Sequence, residues 1–191
     1  MSNVACLIGV QGPRPVATLP ENTAVLRVGY GIIPAAWLAC FRFGDTRAVN
    51  VPLQDAHGQP GSLALDMLFT ERDKATQSLG TFLSSLRSCP AIFADAEAPL
   101  LALKAHLHAC PFACIQLFDV EIQLLVGPDE NRPWLDTCLR FVGDVASGKL
   151  AGDAILKAPG ALELFDQAEI RVPEWACERE WEESLTGSPA E

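Results

Sequence analysis

The chain has 191 residues, 49% of them hydrophobic and 20% charged, which supplies enough apolar material for one buried core and excludes an intrinsically disordered chain. Fourteen Lys and Arg against twenty-four Asp and Glu leave a formal charge of −10. That balance argues against DNA, RNA or an anionic membrane as partner, because phosphate surfaces are bound by clustered cations.

Residues 1–10 are apolar but short and precede any Lys or Arg, so they predict no secretory signal. Arg27, Arg42, Asp119 and Glu121 break the longer apolar runs well short of the about 18 residues a membrane helix needs. Cys6, Cys40, Cys89, Cys110, Cys114, Cys138 and Cys177 form an odd, scattered set within mostly apolar patterns. Free thiols of that kind behave as small buried hydrophobes and point to a reduced, cytoplasmic setting.

In chain order, Val4–Val10 and Ala24–Tyr30 read as strands separated by Gly/Pro-rich turn material. Pro34 suits the first turn of a helix over residues 35–41, and 47–53 alternates like a strand. After a loop at 57–61, residues 63–86 read as helical, with Leu79, Phe82, Leu83 and Leu86 on one face. A cap-like Thr70-Glu71-Arg72-Asp73 divides that stretch, which suggests two helices. A further helix is expected over 95–108, with Asp95 and Glu97 in its first turn and Pro111 as its stop.

Residues 114–126 read as β-rich, closed by Gly127-Pro128. Pro133 then opens an amphipathic helix whose stripe is Trp134, Cys138, Phe141, Val142 and Val145. Two shorter helices ending near Gln167 and a last strand at 170–172 complete the reading. Strands and helices without strict alternation predict an α+β domain over residues 1–173, a mixed or antiparallel sheet packed with several helices.

The chemical constellations are few. Gly29-Tyr30-Gly31 follows a strand but has Pro34 where a dinucleotide fingerprint needs its third glycine, so it reads as a turn. There is no Walker loop and no Gly-x-Ser-x-Gly elbow. Asp55 and His57 share a turn-rich loop, and Asp119 and Glu121 would share a strand face with no companion motif. His106, His108, Cys110 and Cys114 form the one cluster with metal-ligand chemistry. His106 and Cys110 would share a helix face, and Cys114 would have to swing in beyond Pro111. A small enzyme or zinc protein using His106, Cys110 and Cys114 is the alternative function; the leading expectation has no catalytic residue, metal or cofactor.

Residues 174–191 form a segment of another character. Six acidic residues and one arginine give it a net charge of −5, half of the whole, and it carries Trp175 and Trp181. On a helix Glu178, Trp181 and Glu182 would lie close together. Aromatic anchors supply contact energy and a negative field speeds association with a basic partner, so Trp175, Glu178, Trp181 and Glu182 are the candidate partner-binding residues.

The stretch Tyr30-Gly31-Ile32-Ile33-Pro34-Ala35-Ala36-Trp37-Leu38-Ala39-Cys40-Phe41, entered from the strand at 24–30, resembles a Tyr-x-x-Ile-Pro-x-x-Trp-Leu-x-x-Phe pattern of small bacterial immunity proteins. Those proteins are partners of secreted polymorphic toxins. The resemblance spans about the first 45 residues and concerns a helix entry, so it carries over no binding residue. It implies a small, cytoplasmic, acidic, non-enzymatic protein that occludes the active site of a cognate toxin, one with a basic cleft.

Overall fold

The structure, a computed structural model, describes residues 4–19, 24–30, 33, 35–54 and 57–158. Strands β1 (Val4–Val10), β2 (Ala24–Tyr30), β3 (Thr46–Gln54), β4 (Pro60–Glu71) and β5 (Cys114–Phe118) make one sheet in the order β2-β1-β5-β4-β3. Every pairing among them is antiparallel. The helices are α1 (Ala35–Leu38), α2 (Arg72–Leu86), α3 (Pro90–Ala109), α4 (Val120–Val126), α5 (Pro128–Ala146) and α6 (Ala154–Lys157). The result is the α+β domain that the mixture of periodicities predicts.

Two hairpins, β1–β2 and β3–β4, flank the short β5, which pairs β1 on one side and the end of β4 on the other. Because strand side chains alternate, the sheet has two apolar faces. Ala5, Leu7, Leu68, Ile115 and Leu117 turn to the main core, where Leu79, Phe82 and Leu86 of α2, Leu100, Leu103 and Leu107 of α3, and Leu139 and Val142 of α5 meet them. Cys6, Ile8, Val10, Phe69 and Cys114 turn the other way. That second face carries the fully buried Gln116, whose amide works as a clasp. Its oxygen accepts the Val16 N–H at 2.8 Å and its nitrogen donates to the Val16 carbonyl at 2.9 Å, which holds the 11–19 segment across the sheet.

Of the residues of the Tyr-x-x-Ile-Pro-x-x-Trp-Leu-x-x-Phe pattern, Ile33, Trp37, Leu38 and Phe41 are buried in the main core, and Pro34 lies outside the described residues. Helix α1 is one turn only. It tightens through Cys40 N–H to Trp37 O and Phe41 N–H to Leu38 O, so Phe41 arrives in the core on a turn instead of the helix expected through residue 41.

Several boundaries differ from the sequence reading. Residues 63–71 are strand, not helix: Leu63, Leu65, Met67 and Phe69 recur at every second position, and β4 pairs β3 from Thr46↔Leu68 to Gln54↔Pro60. The cap-like 70–73 stretch does mark the start of α2, but at a strand-to-helix junction. There Arg72 donates its backbone N–H to Ala113 O and its guanidinium to Cys110 O, tying α2 to the end of α3. Helix α3 starts at Pro90, whose missing N–H costs nothing at a first helical position, so Asp95 and Glu97 fall beyond its first turn.

Helix α5 starts at Pro128 and carries Pro133 inside. The β-rich reading of 114–126 holds only to Phe118; α4 follows and ends on Gly127 at φ +98°. Pro60 and Gly61 of the expected loop belong to β4. Of the two late helices, α6 is described, whereas the part near Gln167 and the strand expected at 170–172 lie outside the described residues.

Gly9 of β1 is tightly packed against the segment that follows α3. A Cβ there would lie 2.6 Å from Cys110 Sγ and 2.9 Å from Phe112 Cδ2. Gly9→Ala is therefore expected to lower stability by about 1–3 kcal/mol, the usual cost of overpacking. Adding Cys110→Ala removes one clashing atom, so a double-mutant cycle in urea is expected to give a combined loss smaller than the two separate losses added. Strict additivity would mean that this contact is not the cause.

Candidate functional site

The residues singled out for chemistry and binding end up in three different places. Trp175, Glu178, Trp181 and Glu182 lie outside the described residues. The His106–Cys114 cluster is described, and the fold divides it. Cys110, just past the end of α3, packs in the main core, whereas Cys114 opens β5 on the other face of the sheet. Among the described residues no three His, Cys, Asp or Glu side chains are placed to hold a metal.

The thiols are also poor nucleophiles, since only the thiolate attacks or ligates. Burial pushes the Cys110 thiol up, against the smaller opposing effects of the Phe112 backbone and the charge of Arg72. Cys114 is raised by burial and by the Glu71 carboxylate opposite it. Cys40 is raised by burial alone. All six described cysteines are buried thiols with no disulfide between them, as the apolar setting of each predicts; Cys177 lies outside the described residues.

Asp119 and Glu121 do not share a strand face. Asp119 stands at the start of α4, 1% exposed, while Glu121 is in the helix and exposed. Asp119 anchors a polar corner. Gln123, one turn on, donates from one amide nitrogen to Asp119 Oδ1 at 2.9 Å and to the Asp66 carbonyl of β4 at 2.8 Å. Arg132 of α5 pairs with the Asp66 carboxylate and, at 2.9 Å, with Asp136. Burial raises Asp119 to about 7, with Gln123 the first of the hydrogen bonds opposing the rise. Its Oδ2 has no hydrogen-bond partner among the described residues.

The open surface lies along α5. One groove of about 630 Å³ runs between α2, α5 and the turn after α1, walled by Phe41, Leu139 and Val142 and rimmed by Arg42, Phe43 and Lys149. A second of about 790 Å³ runs between α5 and the segment leading to Ala158, with Arg132, Phe141, Leu150 and Lys157 along it. Arg140 and Asp144 border both, so the two grooves adjoin along α5. Ser85 Oγ to Ala146 O and Gly152 N–H to Ser88 Oγ fasten the ends of α2 and α5 and keep the first groove framed.

Three features of these grooves suit binding. Phe43 is 53% exposed at the rim. Gly143 lines the first groove where an added Cβ would meet nothing within 4 Å, so no packing demands glycine there and its absent side chain leaves space. Arg42, Arg132, Arg140, Lys149 and Lys157, five of the twelve cations of residues 1–158, line the grooves against Asp136 and Asp144. Arg132 and Lys149 are engaged with acidic partners, whereas Arg140 and Lys157 form no ion pair among the described residues.

Sequence reasoning passed over this surface because its walls come from segments about 100 residues apart. The one local signal was a helical glycine, Gly143, between Val142 and Val145 of the predicted apolar stripe. No family model, curated protein or solved structure matches the chain.

The Asp119 corner has a pH signature. Its folded value near 7 exceeds the ordinary 3.8, so between those limits the folded state alone holds the proton. Below the window both states are protonated and that contribution is complete; it is lost across the window at about 1.4 kcal/mol per unit and is gone once pH has risen through 7. Asp119→Asn keeps the shape without the charge. Urea midpoints are expected to show the variant gaining on the parent from pH 4 to about pH 7 and holding that gain at pH 8. Parallel curves would remove Asp119 as the titrating group.

Proposed function

We propose that this chain is a non-enzymatic cytoplasmic binding protein of the immunity type, which neutralises a cognate toxin enzyme by occluding a basic active-site cleft. The observation that carries the reading is how the charge is divided. Residues 159–191 hold nine acidic and two basic residues, net −7, whereas residues 1–158 have a net charge of only −3. An acidic segment with two indole anchors is the kind of element that enters a basic cleft in place of a polyanionic substrate.

Trp175, Glu178, Trp181 and Glu182 are the contact residues of this proposal. Nanomolar inhibition needs about −12 kcal/mol, a magnitude within reach of a few buried aromatic anchors together with steered charge. The parting of Cys110 and Cys114 to two faces of the sheet supports this reading over a zinc site shared by His106, Cys110 and Cys114.

The test is capture from extracts of cells that make the chain, using the full chain and a 1–173 truncation, followed by assay of whatever enzyme is retained. The full chain is expected to retain one stoichiometric enzyme with a basic catalytic cleft and to abolish its activity at a one-to-one ratio. Trp175→Ala together with Trp181→Ala is expected to weaken inhibition by about a thousandfold, at a cost of about 2 kcal/mol per anchor. An enzyme that stays active in the complex sinks the immunity reading, and full inhibition by the truncation sinks the assignment of the contact residues.

A further inference from the structure

The grooves along α5 and the acidic end of the chain complement one another in charge and in the order of their apolar and charged groups. The first groove is floored by the core residues Phe41, Leu139 and Val142, with the exposed Phe43 at its rim and an open place at Gly143, and the second is floored by Phe141 and Leu150. Between them stands Arg140, exposed and without an ion pair among the described residues. In the sequence beyond Ala158, Trp175 and Trp181 stand six residues apart with Glu178 midway between them. Two apolar hollows with a cation between them match two indoles with an anion between them.

The connection is also suitable. The described chain ends at Ala158, itself part of the second groove. Residue 175 lies seventeen residues further on, and at up to about 3.3–3.6 Å per residue that length reaches either groove. With its net charge of −7, the segment 159–191 is drawn to the face that carries Arg42, Arg140, Lys149 and Lys157.

We infer that the α5 grooves seat the chain's own C-terminal segment, with Trp175 and Trp181 in the two hollows and Glu178 on Arg140. The seating rests on the same residues as the immunity reading and adds a regulatory step to it. The indoles are kept from indiscriminate contacts until a partner with a stronger positive field draws the segment away. Because the seating is read without any partner, its failure leaves the immunity reading standing, and failure of that reading leaves the seating measurable.

The chain contains four lysines, which makes a zero-length carbodiimide cross-link on the full-length protein decisive. Lys149 and Lys157 border the grooves, Lys74 pairs with Glu71, and Lys104 lies in a hollow between α2 and α3. Monomer-band peptides are expected to join Lys149 or Lys157 to one of Glu178, Glu180, Glu182 and Glu183. The yield is expected to fall as salt rises, because exposed pairs are screened over about 8 Å at physiological ionic strength.

Arg140→Glu is expected to cut the yield about fivefold and Arg140→Glu/Glu178→Arg to restore it, the magnitude of one exposed ion pair. Gly143→Leu, which fills the first groove at a position with room for it, is expected to cut the yield without moving the urea midpoint downward. Equal cross-linking to Lys74 and Lys104, cross-links only in a dimer band, or no cross-link at all would each overturn the inference.

Discussion

The fold depends on one short strand. β5 has five residues, of which Cys114, Ile115, Gln116 and Leu117 are buried, and it joins two hairpins that would otherwise be separate two-stranded ribbons. A lone hairpin is marginal in water, and a third strand with an apolar face makes a sheet independently stable. Ile115 and Leu117 supply that face to the helices, while Cys114 and Gln116 serve the reverse side. Gln116 is the exacting residue of the set. A buried amide left unpaired costs about 1–3 kcal/mol, and here both ends of it are paired to the backbone of Val16. The polar side chain replaces a covering element by fastening a loop across the second face.

The chain leaves β5 through a corner held by polar groups. Asp119 starts α4, Gln123 links it to β4, and Arg132 brings α5 onto Asp66 of the same strand. The Arg132 pairs are partly exposed and so individually weak, of order 1 kcal/mol or less. The buried hydrogen bonds of Gln123 are the stronger constraint, because no water is at hand to replace them. Their consequence is positional. They set where α5 begins, and α5 carries Leu139, Arg140, Val142 and Gly143 to the groove beside α2.

That placement gives the molecule a division of labour by charge. Residues 1–158 are nearly balanced, with an apolar, cation-rimmed face along α5, whereas the last 33 residues hold most of the net negative charge. The apolar residues around α1 stay out of this division. Ile33, Trp37, Leu38 and Phe41 are core residues, and their service is to bring Arg42 and Phe43 to the rim.

Local chemistry made much of this legible. Val4–Val10 and Ala24–Tyr30 are strands because short β-branched and apolar runs bounded by turn residues have few other ways to pack. The stripe through Cys138, Phe141, Val142 and Val145 is buried because its spacing puts it on one helix face. The period-two pattern at Leu63, Leu65, Met67 and Phe69 was also present, but leucine-rich sequence reads as helix until β3 is there to pair with it. Asp119 illustrates the remainder. Its carboxyl looks like a strand-face acid in sequence, and only the docking of α4 and α5 against β4 buries it, raises it to about 7 and surrounds it with amides. The sequence by itself determined the α+β composition, the buried thiols and the concentration of negative charge at one end, because periodicity, side-chain chemistry and charge are local properties. The tertiary structure decided that Cys110 and Cys114 part across the sheet and that Arg42, Arg140, Gly143 and Lys149 come together, because both depend on contacts between segments far apart along the chain.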